Sequence, residues 1–383
     1  MKILLLGEYS NLHNSLKKGL CELGHDVTLI STGDGFKSYS SDILYGKKPV
    51  SSKYKLLKKI FKIIFKYPFS FYYRSFQFEK IIGELEGYDM IQLINEHAIE
   101  GVPYLERKQL SRLKKQNKKM VLLCCGDDFN TIQFQLNSTE LKYSILTPYL
   151  TNDKVKSEYE YSLKYLTKSF KKLSKHIENI TIGVIASDID YHLSLQNNTK
   201  YLGLIPNPVV LNKLKPTEKQ DKKIRILLGT NSYSYIKKGI GYFEKALTEI
   251  EIKYPGVIIN KTKNLPFSEY LKELNRTDIL LDQVFGYDQG YNALEAMALG
   301  KVVFTGAEGE FLQHYKLKED EVAINALPDV EYLVGKLSEL IEEPKRIQEI
   351  GKNAKAFITK HHDATKVAKT YLETWKKAIE QQP

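Results

Sequence analysis

The sequence predicts an α/β protein of doubly wound architecture, divided into two domains. Three observations carry that expectation. The chain has 383 residues, too many for one core and suited to two domains of about 150–200 residues each. It opens on strand, helix, strand. Lys2–Leu6 are an apolar run, Leu12, Leu16, Leu20 and Leu23 recur at helical spacing with Gly24 behind them, and Val27–Ile30 form a second apolar run. Far downstream, the stretch 278–305 repeats the pattern. Ile279–Leu281 are bounded by Asp278 and Asp282, Tyr291–Leu299 are amphipathic between Gly290 and Gly300, and Val302–Phe304 follow. Gly300 suits the left-handed residue that ends a helix. The loop before Tyr291 then lies where open α/β sheets collect ligands, and the free N–H groups of the helix start favour an anion.

Composition narrows the function. There are 57 basic and 46 acidic side chains, a net charge of +11, which suits an anionic partner. No helix-turn-helix, zinc-finger or RNP-like pattern occurs, so nucleic acid is not expected. No run approaches the roughly 20 apolar residues of a membrane span. The N-terminus lacks a signal peptide's length and cleavage site. Cys21, Cys124 and Cys125 read as reduced structural thiols of a cytoplasmic protein: neighbours 124 and 125 point to opposite faces of a strand, and no zinc spacing is present.

Taken in order, further strands are expected at Tyr88–Ile94, Lys119–Cys125 and Ile180–Ala186, the last closing the first domain. A stiff turn follows at Gly203–Val209, with two prolines around Asn207. The second domain begins with Ile224–Gly229 and adds Gly256–Asn260. Helices are expected from Asp329, from Pro344 and over Ala364–Glu380. The first loop, Gly7–Asn11, lacks the three-glycine dinucleotide fingerprint, which argues against a dehydrogenase. Between 53 and 74 the chain carries seven cations and no acid, with Leu57, Ile60, Phe61, Ile64 and Phe65 on one helical face. Lys55, Lys58, Lys59 and Lys62 with Phe61 and Phe65 are candidates for contact with an anionic membrane surface. The alternative is a helix packed on its own domain.

Single residues stand out. Glu295 interrupts an apolar helix run, and a carboxylate there needs a polar partner. Either two adjacent hydroxyls of a ligand, as on a ribose, or a local partner would serve. Asp128, in Gly126-Asp127-Asp128, either meets substrate or caps the next helix. His97 either lines a cleft or is a satisfied loop histidine. Asp188-Ile189-Asp190 reads as a helix start.

The run Leu294–Val303 resembles the nucleotide-binding segment of GT-B glycosyltransferases of family 4. In that family a Glu-x(7)-Glu motif ends on this helix. Glu295 matches the second Glu, which grips the nucleotide ribose, and Gly290 matches the glycine before it. The first Glu would fall at Tyr287 and is missing. Some members carry an Asp-Gln pair instead, matched by Asp282-Gln283. Lys238-Gly239 matches the Lys-Gly whose lysine meets the donor diphosphate; Thr230, Asn231 and Ser232 occupy the region of an expected Arg. Asn264–Tyr270, with Leu265, matches the segment bordering the nucleobase. The resemblance thus implies a donor site of Glu295, Gly290, Tyr291, Asn292, Asp288, Tyr287, Asn231, Thr230 and Leu265. It gives Lys238, Asp128 and His97 catalytic roles and puts Gly7, Glu8 and Tyr9 on the acceptor side. It implies two Rossmann-like domains facing a cleft, 1–206 and 207–363, with 364–383 returning to the first. It further implies retaining transfer from a nucleotide sugar to a glycan or lipid-linked acceptor, as in bacterial surface polysaccharide synthesis. No metal or cofactor is expected, and the Asp-x-Asp is not read as the metal motif of the other major glycosyltransferase fold. A nucleotide-sugar 2-epimerase and a non-catalytic glycan-binding partner are the alternatives.

Overall fold

A computed structural model describes residues 1–35, 39–46, 65–211, 221 and 223–381. Seven strands form the first sheet: β1 Lys2–Leu6, β2 Asp26–Ser31, β3 Ile43–Leu44, β4 Met90–Leu93, β5 Lys119–Cys124, β6 Val184–Ala186 and β7 Tyr201–Leu204. Their order is β3-β2-β1-β4-β5-β6-β7. Five strands form the second: β8 Arg225–Thr230, β9 Ile258–Lys263, β10 Ile279–Leu281, β11 Val302–Thr305 and β12 Ile324–Asn325, in the order β12-β11-β10-β8-β9. All the strand pairs are parallel. Parallel strands covered by helices on both faces must be apolar throughout, and Ile3–Leu6 and Ile279–Leu281 are indeed completely buried.

The order of each sheet reverses at one point, between β1 and β4 in the first and between β8 and β10 in the second. The loops leaving the C-terminal ends of those strands diverge there and open a crevice. One correction concerns the first sheet. The chain at Ile180 is still helical, since the helix Lys168–Ile180 precedes β6, and β7 rather than β6 is the last strand. Gly203 allows this extra edge strand its irregular register, at φ 111°.

Two large cores lie around the two sheets. A third, small cluster of Ile132, Leu146 and Tyr159 receives Ile236 from the second domain. The chain crosses between the domains twice, side by side. The Val209 N–H donates to His362 O at 2.6 Å and the Ala364 N–H to Val209 O at 3.1 Å. The helix Ala364–Glu380 then lies on the helix Leu12–Glu22. Gly19 permits this approach, because a Cβ there would sit 2.1 Å from Ala364 O. Val367, Tyr371 and Trp375 join the core of the first domain. Of the basic stretch, Lys55, Lys58, Lys59, Phe61 and Lys62 lie outside the described residues. Phe65 is described and exposed, ahead of the helix Phe69–Ile81. No helix among the described residues is long and apolar enough to cross a membrane.

Candidate functional site

At the switch point of the second sheet, the segment after β8 and the segment after β10 face each other. Gly239 locks them together. It adopts φ 64°, and a Cβ there would come 2.3 Å from Val284 Cγ2 and 2.9 Å from Phe285 Cε2. The Val284 N–H donates to Lys238 O at 3.0 Å, so the backbone of Lys238 is fixed by the loop that follows β10. Its side chain is fixed as well. Nζ donates to Asp282 Oδ1 at 2.7 Å, and Asn292 Nδ2 donates to the same oxygen at 2.8 Å. The Asp282 side chain is 1% exposed and that of Lys238 29%. A buried carboxylate at the end of β10 therefore presents a half-open ammonium beside the start of the helix Tyr291–Ala298.

That helix start is left open. Gly290 is its N-cap residue, no side chain caps it, and nothing lies within 4 Å of where a Gly290 Cβ would be. Its first N–H groups have no partner within the helix, and with the helix dipole they favour an anion. They open onto a cleft of about 710 Å³, a size typical of small-molecule sites. Lys238, Gly290, Tyr291, Asn292 and Glu295 line it on this side. Glu295 is half-buried on the same helix, about one and a half turns beyond Gly290. Thr230, Asn231 and Leu265 line the opposite side. Eight of the twelve residues expected in donor-binding or catalytic roles thus line one cleft.

The other four lie elsewhere. Tyr287 is buried, and its hydroxyl accepts the Lys142 N–H at 2.8 Å. Asp288 is buried and accepts the N–H groups of Ile189 and Gln289 at 3.0 and 2.7 Å. Both face the first domain rather than the cleft. Asp128 caps the helix Phe129–Asn137 through the Thr131 N–H at 2.7 Å and accepts from Cys124 Sγ at 2.7 Å. Of its two readings, the cap is the one realised. His97 is buried between Phe71 and Phe170, with Nε2 2.8 Å from Gly101 O. Burial pushes its basicity far down, which keeps it neutral, and it does not line the cleft.

The loop expected on the acceptor side leaves β1 at the switch point of the first sheet. Gly7 takes φ 89°, donates its N–H to Ile30 O and accepts from buried His13 Nδ1 at 2.7 Å. Glu8 is buried and accepts two N–H groups of Asn14 at 2.8 Å. Burial pushes its carboxyl up to about 8, and Oε1 has no hydrogen-bond partner among the described residues. Tyr9 packs against Gly126, 3.5 Å from the position of a Cβ there.

Sequence reading missed several wall residues. Ser10 and Tyr39 reach the cleft from the first domain. Burial and then the charge of Glu295 push the Tyr39 hydroxyl up. Tyr39 had no sequence signal, since it sits in a polar stretch outside any motif. Gln283, Asn264 and Tyr270 also line the cleft and did stand inside recognised segments.

Residues 219–373 match the family described as glycosyl transferase-like. No curated protein matches the chain. Among solved structures, sucrose-phosphate synthase from Thermosynechococcus elongatus superposes with a TM-score of 0.62 at 14% identity, covering 100% of both chains. Anabaena HepE in complex with UDP and glucose gives 0.61 at 13% identity, covering 98% of this chain and 99% of that one. UDP-GlcNAc 2-epimerase from Neisseria meningitidis, bound to UDP-GlcNAc, gives 0.55 at 12%, covering 98% and 100%. With two parallel doubly wound sheets meeting at a cleft, the chain has the GT-B fold, and its second domain carries the match to the glycosyl transferase-like family.

Proposed function

We propose that this protein transfers a sugar, with retention, from a nucleotide-sugar donor to a glycan or lipid-linked saccharide acceptor. The observation that carries the reading is the convergence of Lys238, the uncapped helix start at Gly290 and Glu295 on one cleft. In this reading the diphosphate lies at the helix start beside Lys238, which meets the charge that grows on the leaving oxygen. Glu295 accepts hydrogen bonds from the ribose hydroxyls, and the segment at Leu265 borders the base. The leaving phosphate, on the same face of the sugar as the attacking hydroxyl, takes the acceptor's proton. No residue has to act as base, so the burial of Asp128 and His97 is no obstacle. The diphosphate charge is met by protein groups, and the reading calls for no metal; activity surviving a chelator would agree with it. The exposed rings of Phe65, Phe76 and Tyr104 and the lysines between 53 and 66 suit a peripheral position on an anionic leaflet. Sedimentation of the protein with anionic but not neutral vesicles at low salt would support that position.

A 2-epimerase is the second reading, favoured by the epimerases among the structural neighbours. Incubation with labelled nucleotide sugars and an acceptor panel separates the two. Uridine donors come first, because HepE was solved with UDP and glucose. A labelled glycan supports transfer. An epimerised nucleotide sugar, formed without acceptor, overturns it.

A further inference from the structure

The C-terminal edge of the first sheet carries a second cluster of charged groups, on the other side of the interdomain space. The loops after β1, β2, β4 and β5 bring Tyr9, Asp34, Glu100 and Asp127 to it. Each carboxylate there is matched. Glu100 pairs with Arg74 at 2.6 Å and accepts from Thr32 Oγ1 at 2.8 Å. Asp34 accepts the Ser10 N–H at 2.8 Å. Asp127 accepts from Ser162 and pairs with Lys237 of the second domain at 3.0 Å. Backbone strain gathers on the same edge. Ser10, Asn11, Asp34 and Glu100 all have positive φ, between 53° and 72°, a conformation that costs a non-glycine residue about 1–3 kcal/mol and persists mainly where a site requires it.

Lys164 is the exception to this matching. Its ammonium sits in a box of rings, 3.5 Å from the centroid of Tyr161, 4.8 Å from Tyr165 and 5.6 Å from both Phe71 and Phe170. Among the described residues no carboxylate lies within 4.0 Å of it. Cation–π contacts recover part of the cost of withdrawing an ammonium from water, about 0.5–2 kcal/mol; Glu100, Asp127 and Glu106 act on it at longer range, and it makes no direct ion pair among the described residues. Tyr161 is exposed and Lys164 partly so, so the box has a side facing solvent. Both Tyr161 and Lys164 feel the charges of Glu100 and Asp127, which puts the box on the same edge as the strained loops.

We propose that this edge is the acceptor subsite and that Lys164 selects an acceptor carrying an anionic oxygen group, a carboxylate or a phosphate, placed beside the Tyr161 ring. The proposal rests on the transferase reading and names the class of its acceptor. Lys164 binds the group and takes no part in bond making. An anion brought to Lys164 would give it the direct ion pair that Glu100 and Asp127 already have.

The test compares binding of glucuronosyl-glucose, its uncharged glucosyl counterpart and hexyl phosphate, by calorimetry, to the full chain and to Lys164→Met and Lys164→Arg. The expected result is a preference for one anionic probe over the neutral sugar of about tenfold or more, the worth of one charge-assisted hydrogen bond. Which probe wins tells carboxylate from phosphate. Lys164→Met should lose the preference and Lys164→Arg should keep most of it, while binding of UDP and thermal melting stay unchanged in both. Absence of any charge preference in the wild type, or a preference that survives Lys164→Met, overturns the proposal. Transfer assays run in parallel keep the two claims apart. Efficient transfer to neutral and charged acceptors alike sinks the anionic class and leaves the transferase reading standing. Charge-selective binding that depends on Lys164, with no transfer to any acceptor, supports the subsite and counts against the transferase.

Discussion

Asp282 is a single buried carboxylate with two obligations, since Lys238 and Asn292 share its Oδ1. In the proposed transferase it would hold the ammonium beside the leaving diphosphate before the donor binds, and such preorganisation is where electrostatic catalysis gains most. Asp282→Asn keeps the volume and removes the charge. It should lower kcat by about 10–100-fold while KM for the donor moves less, because the lost interaction matters most in the transition state. Steady-state kinetics over donor concentration read this directly. Lys238→Ala should cost about 100-fold or more in kcat, and activity within a few-fold of wild type would transfer the role to another cation. Glu295→Gln should weaken nucleotide-sugar binding by about 1–3 kcal/mol in calorimetry, the scale of charge-assisted hydrogen bonds. The place of Glu295 and Lys238 on the cleft was legible from local pattern and resemblance. The contact of Asp282 with Lys238 was not, because the two lie 44 positions apart and only the fold brings them together.

At the scale of elements, two short loops grip one another across the domain boundary. Asp188 caps the helix Ile189–Leu195. Asp190 accepts the N–H groups of Tyr287 and Asp288 at 3.1 Å, and Asp288 accepts the N–H of Ile189 at 3.0 Å. Burial raises all three carboxyls, and each is raised further by another of the trio or held down by these N–H bonds. A raised folded value means that the folded state binds protons more tightly than the unfolded chain. The contribution to stability is therefore fully present below the ordinary aspartate value, and it is lost as pH rises through the raised values. The melting temperature should fall from about pH 4 to about pH 7, and Asp190→Asn should flatten part of that slope. An unchanged slope in differential scanning calorimetry would rule Asp190 out as its source. The same loops explain what sequence could and could not give. Apolar runs and turn residues placed most strands and helix starts, Asp188 among them. The inward turn of Tyr287 and Asp288 was hidden, because local pattern marks a loop at a strand end and does not tell which of its residues face the cleft and which face the partner domain. β7 was missed since Tyr201–Leu204 are only half-buried on a sheet edge, without the continuous apolar run that betrays a central strand.

Over the whole molecule, one lysine of the adjacent pair serves each domain. Lys238 stays with the second domain, and Lys237 reaches across to Asp127 and Ser162 of the first at 3.0 and 2.6 Å. The segment around Lys142 and Tyr143 reaches the other way, with Lys142 Nζ 2.7 Å from Glu308. Both contacts tie the two domains together beside the cleft. Lys237→Ala removes a half-buried charge-assisted bond worth about 1–3 kcal/mol, enough to shift an open–closed equilibrium about five-fold or more. The radius of gyration of the free protein, measured by small-angle X-ray scattering, should rise in Lys237→Ala and fall back when a binding donor is added. An unchanged radius would mean that the contacts around Glu308 suffice to hold the domains together.

The helix Ala364–Glu380 gives the protein an order of assembly as well as a shape. Its apolar stripe completes the core around the helix Leu12–Glu22, yet a ribosome makes it only after the whole second domain has emerged. At about 5–20 residues per second, the first domain waits on the order of tens of seconds with that face open to water. During synthesis it is therefore a client for whatever shields apolar surface in the cell, while the second domain, contiguous in sequence, can close its own core first.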